Sequence, residues 1–212
     1  MKTAVRTFGS ALAALTLAGC SLKPAPRAPL SYHDLGPASV PAEAPLIDAV
    51  IIVHDPAGPL WLDSGNMHYR LAYDDPSRVR RFANSQWVAS PLQMIGERLR
   101  AALAARAARG GALPDVGVPG DYWVRSSVEE FCQIFDERAK SRAVLRLRVA
   151  LVRTRGHALV EQRLFVADVP APTPDAHGGV VALAQALDQA SAAVAAWVAE
   201  AVGRRAPEGG SR

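Results

Sequence analysis

The stretch that decides the fold is RAVLRLRVALV, residues 142–152. Apolar residues occupy every second position, and three arginines lie between them. Successive side chains of a strand point to opposite faces, so this alternation predicts a strand with one face in a core and a mixed outer face. The residues on the core face are Ala143, Leu145, Leu147, Val149 and Leu151.

Two extended segments flank this strand, at residues 122–135 and 158–166, and a turn at Arg155 and Gly156 joins it to the second. Earlier in the chain, residues 46–53 form an almost continuous apolar run rich in Ile and Val. Such a run is typical of a strand that is covered on both faces.

The region before the central segments predicts a hairpin. Residues 67–73 and 78–88 have strand character, and Asp74-Asp75-Pro76-Ser77 between them consists of residue types that favour a bend. Residues 32–35 predict a short edge strand.

Two amphipathic helices complete the predicted elements. Ser90, Pro91 and Gln93 form a helix start, and apolar residues at helical spacing then continue towards Arg109. A second helix extends from Val180 to Ala201. The residues of the first helix that we expect to face solvent are Glu97, Arg98, Arg100 and Arg109. Together the elements predict an α+β fold, an antiparallel or mixed sheet with both helices packed on one face.

The N-terminus has the pattern of an export signal. Lys2 and Arg6 precede an apolar run at residues 11–18, which is too short to span a bilayer. The run ends in LAGC, which looks like a bacterial lipobox. We therefore expect residues 1–19 to be a lipoprotein signal peptide cleaved between Gly19 and Cys20; the alternative is an ordinary secretory signal that contains a cysteine.

Lipidation of Cys20 with palmitate-type chains would anchor the protein, because two or more acyl chains hold a protein firmly at a membrane. The next residue is Ser21 rather than the Asp that favours inner-membrane retention in enteric-type bacteria, so we expect the outer membrane, on its periplasmic face.

The rest of the chain divides simply. Residues 20–30 contain the acylated cysteine and a Pro-rich tether, 31–203 form one folded domain, and 204–212 form a disordered tail. The chain has 212 residues, 50% hydrophobic and 21% charged, which excludes wholesale disorder and rod-like repeats.

The sequence contains no pattern that predicts catalysis, a cofactor or a metal. Cys132 has no second cysteine to pair with besides Cys20, and we expect it to be a small packed side chain. The histidines are scattered without i, i+4 pairs, and glycine-rich phosphate loops and a G-x-S-x-G elbow are lacking. The five histidines are His33, His54, His68, His157 and His177.

Two groups of arginines could form a basic surface. The two groups are Arg78, Arg80 and Arg81, and Arg142, Arg146 and Arg148. Export excludes nucleic acid as the ligand, which leaves anionic headgroups, an acidic partner or a plain solvated strand face; we favour the solvated face. The four tryptophans are more often packed than exposed, although Trp61 and Trp123 lie in segments where they could be exposed anchors.

Several segments together resemble the ABC-type transport auxiliary lipoprotein family, which accompanies mammalian cell entry (MCE) lipid-transport systems and includes the paraquat-inducible protein C type. Their order along the chain carries the resemblance. The segments are the lipobox at Cys20, YHDL at 32–35, YRLAY at 69–73, WVASPL at 87–92, FCQIF at 131–135, and GVVAL at 179–183 in a helix that contains Trp197.

The resemblance implies a non-catalytic lipoprotein that receives a periplasmic MCE protein at the outer membrane, and through it an inner-membrane ABC permease and ATPase. It is compatible with a ring-forming homo-oligomer. Two alternatives remain open: a lipid- or glycolipid-binding outer-membrane assembly lipoprotein, and a cell-envelope hydrolase. The sequence implies no cofactor.

Overall fold

The computed structural model describes residues 28–39, 46–108, 112–115 and 117–204. The predicted signal peptide, Gly19, Cys20, most of the tether, Arg109 and all but the first residue of the predicted tail lie outside the described residues.

Within these residues, eight strands form one mixed sheet and two helices cover one of its faces, as the sequence predicts. The helices are α1, Pro91–Arg106, and α2, Ala176–Gly203. The strands are β1 Ser31–His33, β2 Ile51–Val53, β3 Asn66–Leu71, β4 Asp75–Trp87, β5 Ala112–Pro114, β6 Tyr122–Glu137, β7 Lys140–Arg153 and β8 Ala158–Pro170.

Strands β6, β7 and β8 form a long antiparallel meander that carries the rest of the fold. The alternation predicted for β7 is confirmed, because its core-facing residues are buried while Arg142, Arg146 and Arg148 lie on the opposite face. We call that opposite face the helix-free face.

The other edge of β6 is shared by two short parallel strands. β2 pairs with the first residues of β6, and β3 pairs with residues 133–135 near its end. β4 extends the sheet antiparallel to β3, and β1 pairs in parallel with the end of β4. These parallel pairs make the sheet mixed.

The apolar run at 46–53 forms a shorter strand than its composition predicts. Only β2 is extended in the sheet, although its three residues are fully buried. The backbone N–H groups of Leu46 and Ile47 both donate to the carbonyl of Arg106, each over 2.9 Å. The start of the run is therefore held by the end of α1 instead of a neighbouring strand.

The hairpin between β3 and β4 turns earlier than predicted. The chain turns at residues 72–74, where the N–H of Asp74 donates to the carbonyl of Leu71 over 3.1 Å, so Pro76 and Ser77 already belong to β4. Ala72 remains attached to β6 because its N–H donates to the carbonyl of Phe135 over 2.8 Å. Residues 72–74 therefore make the whole change of direction between β3 and β4.

The predicted start of α1 is confirmed, since the Ser90 hydroxyl accepts a hydrogen bond from the Gln93 N–H over 3.2 Å. α1 ends at Arg106, before the predicted Arg109. The expectation that Arg98 faces solvent is wrong: only 6% of it is exposed. The guanidinium has turned inward to bind backbone carbonyls and a carboxylate of α2.

α2 is the central helix of the core. It begins after Asp175, whose carboxylate accepts from the Gly178 N–H over 2.8 Å. With a mean hydropathy of 1.3 it is apolar and long enough to cross a bilayer, but half of its most apolar part is buried inside the domain. It lies against the meander and α1, as the helix of a globular core does.

Candidate functional site

The helix-free face is a network of ion pairs. The Arg148 side chain reaches the Glu129 carboxylate over 2.6 Å, and Arg146 reaches the same carboxylate over 3.5 Å. Arg142 binds Asp136 over 3.1 Å and also binds Asp168. The arginines that the sequence singled out on β7 are therefore neutralised by carboxylates of β6 and β8, and they form no cationic field.

The two predicted arginine groups do not form one surface. Arg78, Arg80 and Arg81 lie on β4, which is separated from β7 by β3 and β6. Three strand spacings correspond to about 14 Å. Between the groups, Arg70 of β3 binds Glu130 of β6 over 3.2 Å, and Arg80 itself binds Asp74. The combined basic surface that the sequence allows as one possibility is therefore interrupted by these ion pairs.

The tryptophans divide into two pairs. Trp87 and Trp197 are buried in the core. Trp61 and Trp123 are half-buried on the helix-free side, and each has an arginine over its ring. The guanidinium carbon of Arg70 lies 5.9 Å from the Trp61 ring centre, and that of Arg125 lies 5.1 Å from the Trp123 ring centre. Neither tryptophan is a fully exposed anchor.

Trp123 stands in a cluster that sequence spacing did not reveal. His157 stacks on its ring at 5.0 Å between centres, and His54 meets it edge-on at 5.6 Å. His54 Nδ1 lies 3.1 Å from a carboxylate oxygen of Asp115. The two histidines are about a hundred positions apart in sequence, so only the pairing of β2 and β7 with β6 brings them together.

An open cleft of about 1040 Å³ borders this cluster at the end of the sheet. Its walls come from the segment before β6, from the turn between β7 and β8, and from the end of α2. The lining residues that matter below are Asp48, Asp115, Asp121, Trp123, Arg153 and Arg155.

Gln133 fixes the start of α2 on the sheet. It is 1% exposed, and its side-chain amide donates to the Ser141 hydroxyl over 2.9 Å and to the Asp175 carbonyl over 3.0 Å. A Cβ on Gly179 would lie 2.1 Å from Gln133 Oε1. The FCQIF and GVVAL segments are thus the two sides of one close contact, a role that the sequence alone did not assign.

Arg98 fastens the segment after β1 to both helices. Its guanidinium donates to the carbonyls of Leu35 and Gly36, each over 2.9 Å, and to that of Pro37 over 3.1 Å. It also binds the Asp188 carboxylate of α2 over 2.7 Å. The Arg98 guanidinium therefore fixes the position of residues 35–37, where the chain enters the domain.

Two groups that could do chemistry are shielded from solvent: Cys132 is enclosed and His68 is half-buried. Burial raises the pKa of the Cys132 thiol to about 12, and the residue is fully buried. Burial, with the nearby Arg81 as a further cause, lowers the pKa of His68. Among the described residues, no group of three His, Cys, Asp or Glu side chains could hold a metal ion. The described surface instead offers charged, aromatic and backbone-edge features suited to contact.

Comparison with known proteins identifies both family and fold. A model of the family described as ABC-type transport auxiliary lipoprotein component matches residues 33–195. Protein XCC0632 from Xanthomonas campestris, labelled family DUF330, is similar in structure with a TM-score of 0.70 and 17% identity, over 82% of this chain and 98% of that chain. A structure described as an uncharacterized protein has a TM-score of 0.62 and 20% identity, over 81% and 99%. At these identities the two structures show the fold alone, and no curated protein matches the sequence.

Proposed function

The chain belongs to the family of ABC-type transport auxiliary lipoprotein components, and on that basis we propose that it is the outer-membrane lipoprotein of an MCE-type lipid-transport system. It docks the periplasmic MCE protein and, through it, an inner-membrane permease and ATPase, and it is not itself catalytic. The observation that carries the proposal is the family match, which extends from β1 into α2 and so includes nearly the whole folded domain.

Membrane attachment is the first part of the proposal. Residues 1–19 are removed, Cys20 carries the acyl chains, and residues 21–30 hold the domain at most about 35 Å from the bilayer if fully extended. Labelled palmitate should enter the wild-type protein and not a Cys20→Ala variant. Equal labelling of both would contradict acylation at this position.

The second part is docking. The described domain supports it indirectly, because the most reactive side chain, Cys132, is enclosed, and the charged residues of the helix-free face are held in fixed pairs. Fixed charge pairs give a surface of defined shape and register, which favours specific recognition.

Affinity purification from solubilised envelopes tests docking. The tagged protein should recover the MCE protein encoded in the same bacterium, and the recovery should survive replacement of Cys20 by Ala once the membrane is dissolved. A failure to recover it in several detergents, with the domain folded, would contradict the proposal.

One alternative is a lipid- or glycolipid-binding assembly lipoprotein, for which the open cleft of about 1040 Å³ at the end of the sheet is the candidate site; its lining includes several charged side chains that would meet a headgroup. That function predicts lipid co-extracted with the purified domain. Mass spectrometry of organic extracts distinguishes it from docking, which requires no bound lipid.

A further inference from the structure

The turn that joins β7 to β8 is held in one position at the end of the sheet. The Thr154 hydroxyl donates to the Gly120 carbonyl over 2.6 Å, and it also lies 3.1 Å from the Asp121 carbonyl. Gly156 and His157 follow with φ angles of 74° and 52°. A non-glycine residue is uncommon in this left-handed region, and from this backbone conformation His157 stacks its imidazole on Trp123.

Three arginines near this turn form no ion pair among the described residues. Arg153 and Arg155 are exposed and form no ion pair with any residue that the structure describes, and the exposed Arg125 lies over the Trp123 ring. By contrast, the arginines on the helix-free face of β7, Arg142, Arg146 and Arg148, are all paired with carboxylates. We call Trp123, Arg125, Arg153, Arg155 and His157 the aromatic–arginine corner.

Asp121 and Asp115 line the adjoining cleft, and their described side-chain contacts are with groups other than the three arginines. Asp121 accepts a hydrogen bond from the Val50 N–H over 2.8 Å, and Asp115 lies against His54. Asp48 is engaged as well. The described contacts therefore leave Arg125, Arg153 and Arg155 without an ion pair at the end of the sheet that carries the half-buried Trp123 indole.

We propose that the aromatic–arginine corner contacts a bilayer surface that contains anionic phospholipids. Indole rings concentrate at the headgroup level of membranes, and each arginine near an anionic surface adds attraction. The corner combines both within one turn and the adjacent ends of β6 and β7, and its arginines form no ion pair among the described residues. This inference goes beyond the proposed function, since the contact requires neither the acyl chains nor the transport partner.

Vesicle binding by the chain from residue 20 onward, with Cys20→Ser, tests the proposal without the acyl anchor and keeps every residue that the structure describes. The protein should co-sediment with vesicles that contain phosphatidylglycerol and not with vesicles of phosphatidylcholine alone. An Arg153→Ala, Arg155→Ala double variant should bind about 25-fold more weakly, at roughly fivefold for each arginine.

An Arg138→Ala, Lys140→Ala double variant is the matched control. It removes an equal number of positive charges from exposed positions at the opposite end of the same sheet, where β6 turns into β7. It should bind like the wild-type sequence, and circular dichroism should show both variants folded. Equal weakening by both pairs, or no binding of the wild-type sequence to anionic vesicles, would overturn the proposal and leave palmitate labelling and partner recovery to test the proposed function separately.

Discussion

The guanidinium of Arg98 in α1 lies 2.7 Å from the carboxylate of Asp188 in α2, and the same guanidinium donates to three consecutive backbone carbonyls. One side chain thus joins both helices to the segment that follows β1. This arrangement predicts a large effect of its loss.

We expect Arg98→Ala to lower the free energy of unfolding by about 3–5 kcal/mol, because it leaves a carboxylate and three carbonyls without their donor. Urea unfolding followed by circular dichroism measures the change. Arg100→Ala is the control. Arg100 lies two positions after Arg98 in the same helix and pairs with the exposed Asp55. Such surface ion pairs contribute less than about 1 kcal/mol to the free energy of unfolding. Similar losses in the two variants would contradict the role of Arg98.

Gly179→Ala should destabilise the domain by about 1–3 kcal/mol, because its Cβ would overlap the buried Gln133 amide. Thermal unfolding should show a lower melting temperature. Gly203→Ala makes the same change at the end of α2, where a Cβ meets nothing within 4 Å, and should cause no loss. Equal melting temperatures of the two variants would show that the Gln133 side chain can move away from a Cβ at position 179.

Cys132 should not react in the folded protein. Its thiol is fully buried and its pKa is raised to about 12, so the thiolate that attacks disulfide reagents is absent near neutral pH. In a Cys20→Ser background it is the remaining cysteine of the chain. A thiol-reactive dye should label it in guanidinium chloride and not in native buffer; rapid native labelling would show that β6 opens.

Stability should fall at acid pH through Glu161. The Trp197 indole donates to this carboxylate over 2.8 Å, and that bond, with Arg163 and Arg204 nearby, lowers its pKa below 4.5. A depressed pKa contributes stability above pH 4.5 that is lost as the pH falls through the folded-state value.

The melting temperature of wild type should therefore exceed that of Glu161→Gln at neutral pH, and the gap should narrow as the pH falls below 4.5. The amide keeps an oxygen that accepts from Trp197, so the comparison isolates the charge. A gap that stayed constant down to pH 3 would show that the charge contributes nothing.

The central meander could be predicted from sequence because a two-residue period fixes which face each side chain takes. The burial of Ala143, Leu145, Leu147, Val149 and Leu151 could be predicted without knowing which strands lie beside β7. The ion pairs did need it: Glu129 meets Arg148 through the register of β6 against β7, and that register shifts between Val128 and Glu130. Composition carries no information on such a shift.

Residues that act over long separations were also out of reach. Arg98 occupies a position where a surface arginine is ordinary, and its partners are backbone carbonyls near residue 36 and an aspartate 90 positions away. Gly179 belongs to the GVVAL segment that carries the family resemblance. The structure explains why a glycine stands there: the Gln133 amide lies where a Cβ would be. The expectations for residues 1–27, Cys20 included, remain predictions.

The three-residue β1 strand has a mechanical consequence. β1 pairs with the end of β4 through Ser31–His33. The carbonyls that bind Arg98 belong to residues 35–37, directly after this strand. Tension applied to the chain before Ser31 loads this short ladder first and then the guanidinium. A pulling experiment should detach β1 as an early, small step, and the rupture force of the remaining domain should depend on Arg98.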